Sequence, residues 1–195
     1  MPSSRHSRRT LVVLAAMGLA LAYPVIVYLG LRVMSPQALI AILAAMVLLR
    51  LLAGRRLAGV DPFLVAPLAA CAGSLALAPF AAEPALRAYP VFLSLGLAFA
   101  FAWSLRGGGS TIERIARLSE PDLPKAAVTY TRRVTWVWII FFLANAAIAA
   151  LLAWRGSLEA WTLYNGLISY LLAGTLMTAE YAVRRSVRRR IEARI

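Results

Sequence analysis

Cysteine, histidine and lysine are almost missing from this chain: Cys71, His6 and Lys125 are the sole examples of each. One cysteine excludes a disulfide framework or a cysteine metal site within a single chain. His6 lies in an arginine-rich tail, so no histidine acid, base or metal ligand is expected at an ordered site. Acidic residues are also scarce, eight against 21 basic ones, and they are scattered over loops and the ends of apolar runs. Membrane enzymes that act on phosphates or carbonyls need clustered carboxylates, histidines or a metal, and none can be assembled here. Catalysis by this chain alone is therefore disfavoured, with no catalytic residue and no metal or other cofactor expected. The short alternations of a soluble core are missing too.

What is there is apolar: 62% of the 195 residues are hydrophobic, in blocks long enough to cross a bilayer. The sequence reads as an all-α polytopic membrane protein, one transmembrane domain over residues 1–195. Six transmembrane helices in three hairpins are expected, at about 11–31, 37–53, 62–80, 89–105, 134–154 and 161–181. Pro24, Pro67 and Pro79 fall inside these runs and predict kinks. A second reading of the start is a cleavable signal peptide ending at Ala20–Ala22 within residues 1–22, but the apolar run continues through Tyr28 and Leu31, which suits an uncleaved anchor.

The net charge of +13 would suggest nucleic acid in a soluble domain. Here the charges flank apolar runs, so anionic lipid replaces nucleic acid as the expected partner. Arginines crowd the N-terminal tail, the segment after the second span, the loop 106–133 and the C-terminal tail. Only Arg32, Arg87 and Arg155 fall on the other side. The positive-inside rule then puts both termini in the cytoplasm. Trp103, Trp136 and Trp138 mark the inner interface, and Trp154 and Trp161 the outer one. The heavy use of arginine over lysine reads as GC-rich coding, hence a bacterium and its inner membrane.

The loop 106–133 is the one sizeable cytoplasmic segment. Gly107–Gly109 end the fourth span, and Ser110 with Glu113 predicts a capping box opening a short interfacial helix. Ile112, Ile115 and Ala116 share one face of that helix, with Arg114 and Arg117 opposite. The glycines lack Walker and dinucleotide-loop spacing. A lipid phosphate could still meet the helix start beside Arg106 or Arg114. Pro121 stops this helix, and a long one is expected from about Leu123 to Trp154, carrying Tyr130, Arg132 and Arg133 near the headgroups. Arg106, Arg114, Arg117, Tyr130, Arg132 and Arg133 are thus the candidate contacts to lipid phosphate or a partner.

Inside the membrane, Asn145 is expected to hydrogen-bond another helix. Thr162, Asn165, Ser169 and Ala173, with Gly166 beside them, form a stripe suited to a close helix contact or a polar path. Glu180–Arg184 and Glu83–Arg87 have ion-pair spacing.

The strings SLRGGGSTIERIAR (from Ser104), YTRRVTWVWIIFFLAN (from Tyr130), WTLYNGLISYLL (from Trp161) and EYAVRR (from Glu180), with Leu123 and Pro124, carry a resemblance. Over about residues 103–185 the chain resembles a family of bacterial inner-membrane proteins encoded among aryl-polyene and type II fatty-acid-synthase-like gene clusters. The resemblance implies a place in making or exporting an acyl or polyene lipid, and carries over no catalytic residue. Its pattern also falls on Glu113, Tyr164, Asn165, Glu180 and Tyr181. The leading expectation is a non-enzymatic accessory or scaffold protein docking anionic lipid or acyl carrier protein and lipid-synthesis enzymes on its basic face. The alternatives are a small lipid or polyene transporter or flippase, working as a homo-oligomer with Asn145, Asn165 and Ser169 as its path, and a subunit of a membrane acyl- or glycosyl-transferase.

Overall fold

The computed structural model describes residues 23–53, 62–119 and 122–192, and every regular element among them is helical. In chain order they are α1 (Tyr23–Val33), α2 (Pro36–Ala53), α3 (Pro62–Leu77), α4 (Ala82–Arg87), α5 (Tyr89–Ser104), α6 (Thr111–Ser119), α7 (Lys125–Arg155) and α8 (Leu158–Leu163). A π-turn, Tyr164–Ile168, leads from α8 into α9 (Ser169–Glu192).

Breaks fall where the chemistry asks for them. Ser35 accepts the Ala38 N–H (3.3 Å), capping α2, whose first residue is Pro36. Ser157 does the same for α8 through the Ala160 N–H, 3.1 Å away. α7 closes at Gly156 in extended backbone, and glycine suits the position because a Cβ there would lie 2.7 Å from the Leu152 carbonyl oxygen.

Among the described residues three helical stretches are long and apolar enough to cross a membrane: Ala82–Ser104, Lys125–Arg155 and Leu158–Arg185. They cover the expected fifth and sixth spans, and the fourth as far as Ser104. Tyr23–Val33 and Ala66–Leu77 are apolar but shorter. The long helix expected from about Leu123 is α7, whose 31 residues extend roughly 46 Å. The first half of the expected first span, the proposed cleavage site, His6 and Pro121 lie outside the described residues.

Pro67 sits within α3 as expected, whereas Pro79 does not kink a helix. α3 stops at Leu77 and Pro79 falls in the following turn, because proline disfavours the helical conformation of the residue before it.

The core of the bundle is α5 held between α3 and α7. α3 approaches closely at Gly96, where a Cβ would stand 3.2 Å from the Ala66 Cβ. Between α5 and α7 the pairing is antiparallel: Ser94 reaches Asn145, and Phe101, further along α5, packs against both Phe142 and Trp138 on α7.

One end is tied by Trp161, which is 0% exposed. Its indole N–H donates to the Arg87 carbonyl (3.0 Å), while the Arg87 guanidinium donates to the carbonyls of Leu152 (3.3 Å) and Gly156 (2.6 Å). The Tyr23 hydroxyl donates to the Leu86 carbonyl at 3.0 Å. Val27, Leu39 and Leu86 pack with Trp161 in an apolar cluster, so α1, α2, α4, α7 and α8 meet there.

Candidate anion-docking surface

At the opposite end, α5 gives way to the glycine turn and α6. The Ser104 hydroxyl donates to the Phe101 carbonyl (2.6 Å) and accepts the Thr111 N–H (2.9 Å), tying the start of α6 to the end of α5. Ser110 is fully buried and accepts the Glu113 N–H at 3.2 Å, which is half of the expected capping box. The other half is absent. Glu113 turns its carboxylate to Arg117 instead, with 3.0 Å to Nε and 2.9 Å to a terminal nitrogen. An ion pair one turn on outcompetes the neutral N–H, since charge-assisted bonds are the stronger kind. Two of the amides that a phosphate at this helix start would use are therefore taken by the chain's own serines.

α6 is also rotated from its expected setting. Thr111, Glu113 and Ala116 are buried, while Ile115 is 43% exposed along with Arg114 and Arg117. The serine bonds and the Glu113–Arg117 pair set that rotation, overriding the apolar face read from the sequence. Arg114 donates from Nε to the Gly109 carbonyl at 3.2 Å.

α6 packs against α7, whose first turns carry Tyr130, Arg132 and Arg133. The Tyr130 hydroxyl donates to the Glu180 carbonyl (3.4 Å), tying α7 to α9 and bringing Arg184 and Arg185 to the same end. Arg106, Arg132 and Arg133 are exposed, and none of the three is paired with an acid among the described residues. Arg106 lies over the Trp103 ring, 5.6 Å from its centroid.

The far end contrasts with this. Arg87 is held by two carbonyls and by Glu83 at 3.6 Å, the pair its spacing predicted. Arg32 bonds the Tyr28 hydroxyl and stands 3.9 Å from Glu159. The other expected pair, Glu180–Arg184, does not close: Glu180 Oε1 is buried without a hydrogen-bond partner. Tyr181 points outward, exposed.

Between the two ends, Asn145 donates to the Ser94 hydroxyl (2.9 Å) and accepts from the Tyr164 hydroxyl (3.0 Å). This joins α5, α7 and the π-turn. Ser94 was not legible as a site residue, being one small hydroxyl in an apolar run; the signal that could have found it is its place within that run, as Asn145 lies within its own. Asn165 and Ser169 do not join this cluster through any hydrogen bond among the described residues. Asn165 donates to the Trp161 carbonyl (2.9 Å) and Ser169 to the Asn165 carbonyl (3.2 Å), each within its own helix, as Thr162 does to Leu158 at 2.7 Å. Asn165 Oδ1 is buried and unpartnered. Gly166 faces Pro24 and Val25, so part of the small-residue stripe does meet a neighbouring helix. Among the described residues no group of three acidic, histidine or cysteine side chains could hold a metal.

Over the described residues the protein is all-helical, with several apolar helices, three of them long and apolar enough to cross a membrane. The chain matches no family model, no curated protein and no solved structure.

Proposed function

We propose that this is a non-enzymatic accessory protein of a bacterial inner membrane, crossing six times with both termini in the cytoplasm. Its basic end docks an anionic partner, a lipid headgroup or an acidic acyl carrier protein, in the service of acyl or polyene lipid synthesis. The observation that carries this reading is the unequal treatment of arginine. At one end Arg87 and Arg32 have protein acceptors and Arg155 is exposed without an acid partner, while at the other Arg106, Arg132 and Arg133 all stand exposed and unpaired with any acid among the described residues.

An arginine is charged at any physiological pH, so exposed arginines with no acid partner among the described residues favour an external anion. The spacing of the ends supports a crossing. From Arg87 to Arg106 the chain rises roughly 28 Å, close to the ~30 Å of a hydrocarbon core. The transport reading has less support, since Asn145, Ser94 and Tyr164 are engaged with one another.

The test is the pair Arg132→Glu with Arg133→Glu in the full-length protein. Co-purifying acyl carrier protein or anionic phospholipid is expected to fall several-fold, with helical circular dichroism unchanged. Undiminished, salt-insensitive recovery of both would sink the reading.

A further inference from the structure

α5 and α7 run antiparallel, and Phe101 packs against Trp138 and Phe142, so the end of α5 lies beside the first turns of α7. Trp103 stands in the last turn of α5, with Arg106 over its ring in the turn that follows; on α7, Trp136 stands one turn from Arg133. Both tryptophans are open to the surroundings, Trp103 at 60% and Trp136 at 55% exposure. At this end α5 with its following turn, and α7, each therefore carry an exposed indole with an exposed arginine about three residues away, neither arginine paired with an acid among the described residues.

From this we infer that the basic end is a phospholipid site, in which Trp103 and Trp136 set the depth of the headgroup layer and Arg106 and Arg133 hold a lipid phosphate. The inference rests on reading that end as an anion dock and names the occupant. Indole rings prefer the membrane interface, where one face is apolar and the N–H is wet. Guanidinium groups bind phosphate oxygens in a two-pronged geometry. A soluble acidic protein would satisfy the arginines and leave both indoles uncovered, whereas a leaflet of anionic lipid covers both kinds of side chain. Ile115, exposed beside Arg114 and Arg117 on α6, repeats the same pairing of apolar and cationic surface.

The experiment is native mass spectrometry of the full-length protein in detergent, with phosphatidylglycerol and phosphatidylcholine supplied at equal concentration. The wild type is expected to retain phosphatidylglycerol at least about threefold over phosphatidylcholine. Arg106→Gln with Arg133→Gln is expected to abolish that preference, while Arg155→Gln, at the opposite end, leaves it intact. Circular dichroism of each variant confirms that the helices persist. A wild type without preference overturns the inference, as does a double variant that keeps it. If the lipid preference proves insensitive to Arg106 and Arg133 while capture of an acidic carrier protein depends on Arg132 and Arg133, the lipid assignment fails and the docking function stands. If neither depends on these arginines, both fail.

Discussion

Asn145 uses both sides of its amide, giving to Ser94 and taking from Tyr164, and each of those hydroxyls is buried. Removing the amide leaves two polar groups facing an apolar seam. Asn145→Leu is therefore expected to cost about 1–3 kcal/mol, the penalty for stranded hydrogen-bonding groups. Tyr164→Phe removes one donor only and should cost less, about 0.6–1 kcal/mol, in line with interhelical polar contacts in membranes. Thermal unfolding in detergent followed by circular dichroism measures both, and equal midpoints for the two variants would contradict this apportionment. The same residue shows what a sequence can and cannot convey. A lone amide in an apolar run announces a hydrogen bond to another helix, but its partners lie 51 and 19 residues away. Only the packing register selects them.

At the level of elements, helices were legible because an apolar run and its flanking charges are local properties. The expected spans at 37–53 and 89–105 match α2 and α5 within a residue or so. Rotation was not legible, as α6 shows: its serine and arginine bonds are tertiary choices, and they put Glu113 inside and Ile115 outside. The π-turn was equally hidden, since one extra residue in a turn leaves no mark on composition. Among the candidate site residues, the arginines were legible through their charge. The polar stripe of the last helix was not, because hydroxyl and amide groups can bond back to their own backbone. Close approach at Gly96 is an element-scale feature with a direct consequence. Gly96→Leu would push α3 away from α5 and is expected to cost about 1–3 kcal/mol by overpacking, read as a lower unfolding midpoint. Gly108→Ala, where nothing lies within 4 Å, serves as the comparison and should change the midpoint little.

For the molecule as a whole, the proposed orientation can be tested by labelling. In a Cys71→Ala background, Gly108→Cys and Arg155→Cys place single thiols at exposed positions near opposite ends of the bundle. A membrane-impermeant maleimide applied to intact cells is expected to label Arg155→Cys and to reach Gly108→Cys only after the membrane is opened. The reverse pattern would invert the topology and place the unpaired arginines outside the cell. The π-turn bears on this larger architecture as well. Upstream of it, Trp161 is locked to Arg87; downstream, Glu180 receives the Tyr130 hydroxyl. Each residue advances a helix by about 100°. The turn thus works as a phase setting between two anchors: without its surplus residue the tether at Arg87 would stay in place while everything beyond Ser169 swung about a quarter-turn out of alignment. Arg184 and Arg185 owe their azimuth to a five-residue irregularity more than a dozen positions away.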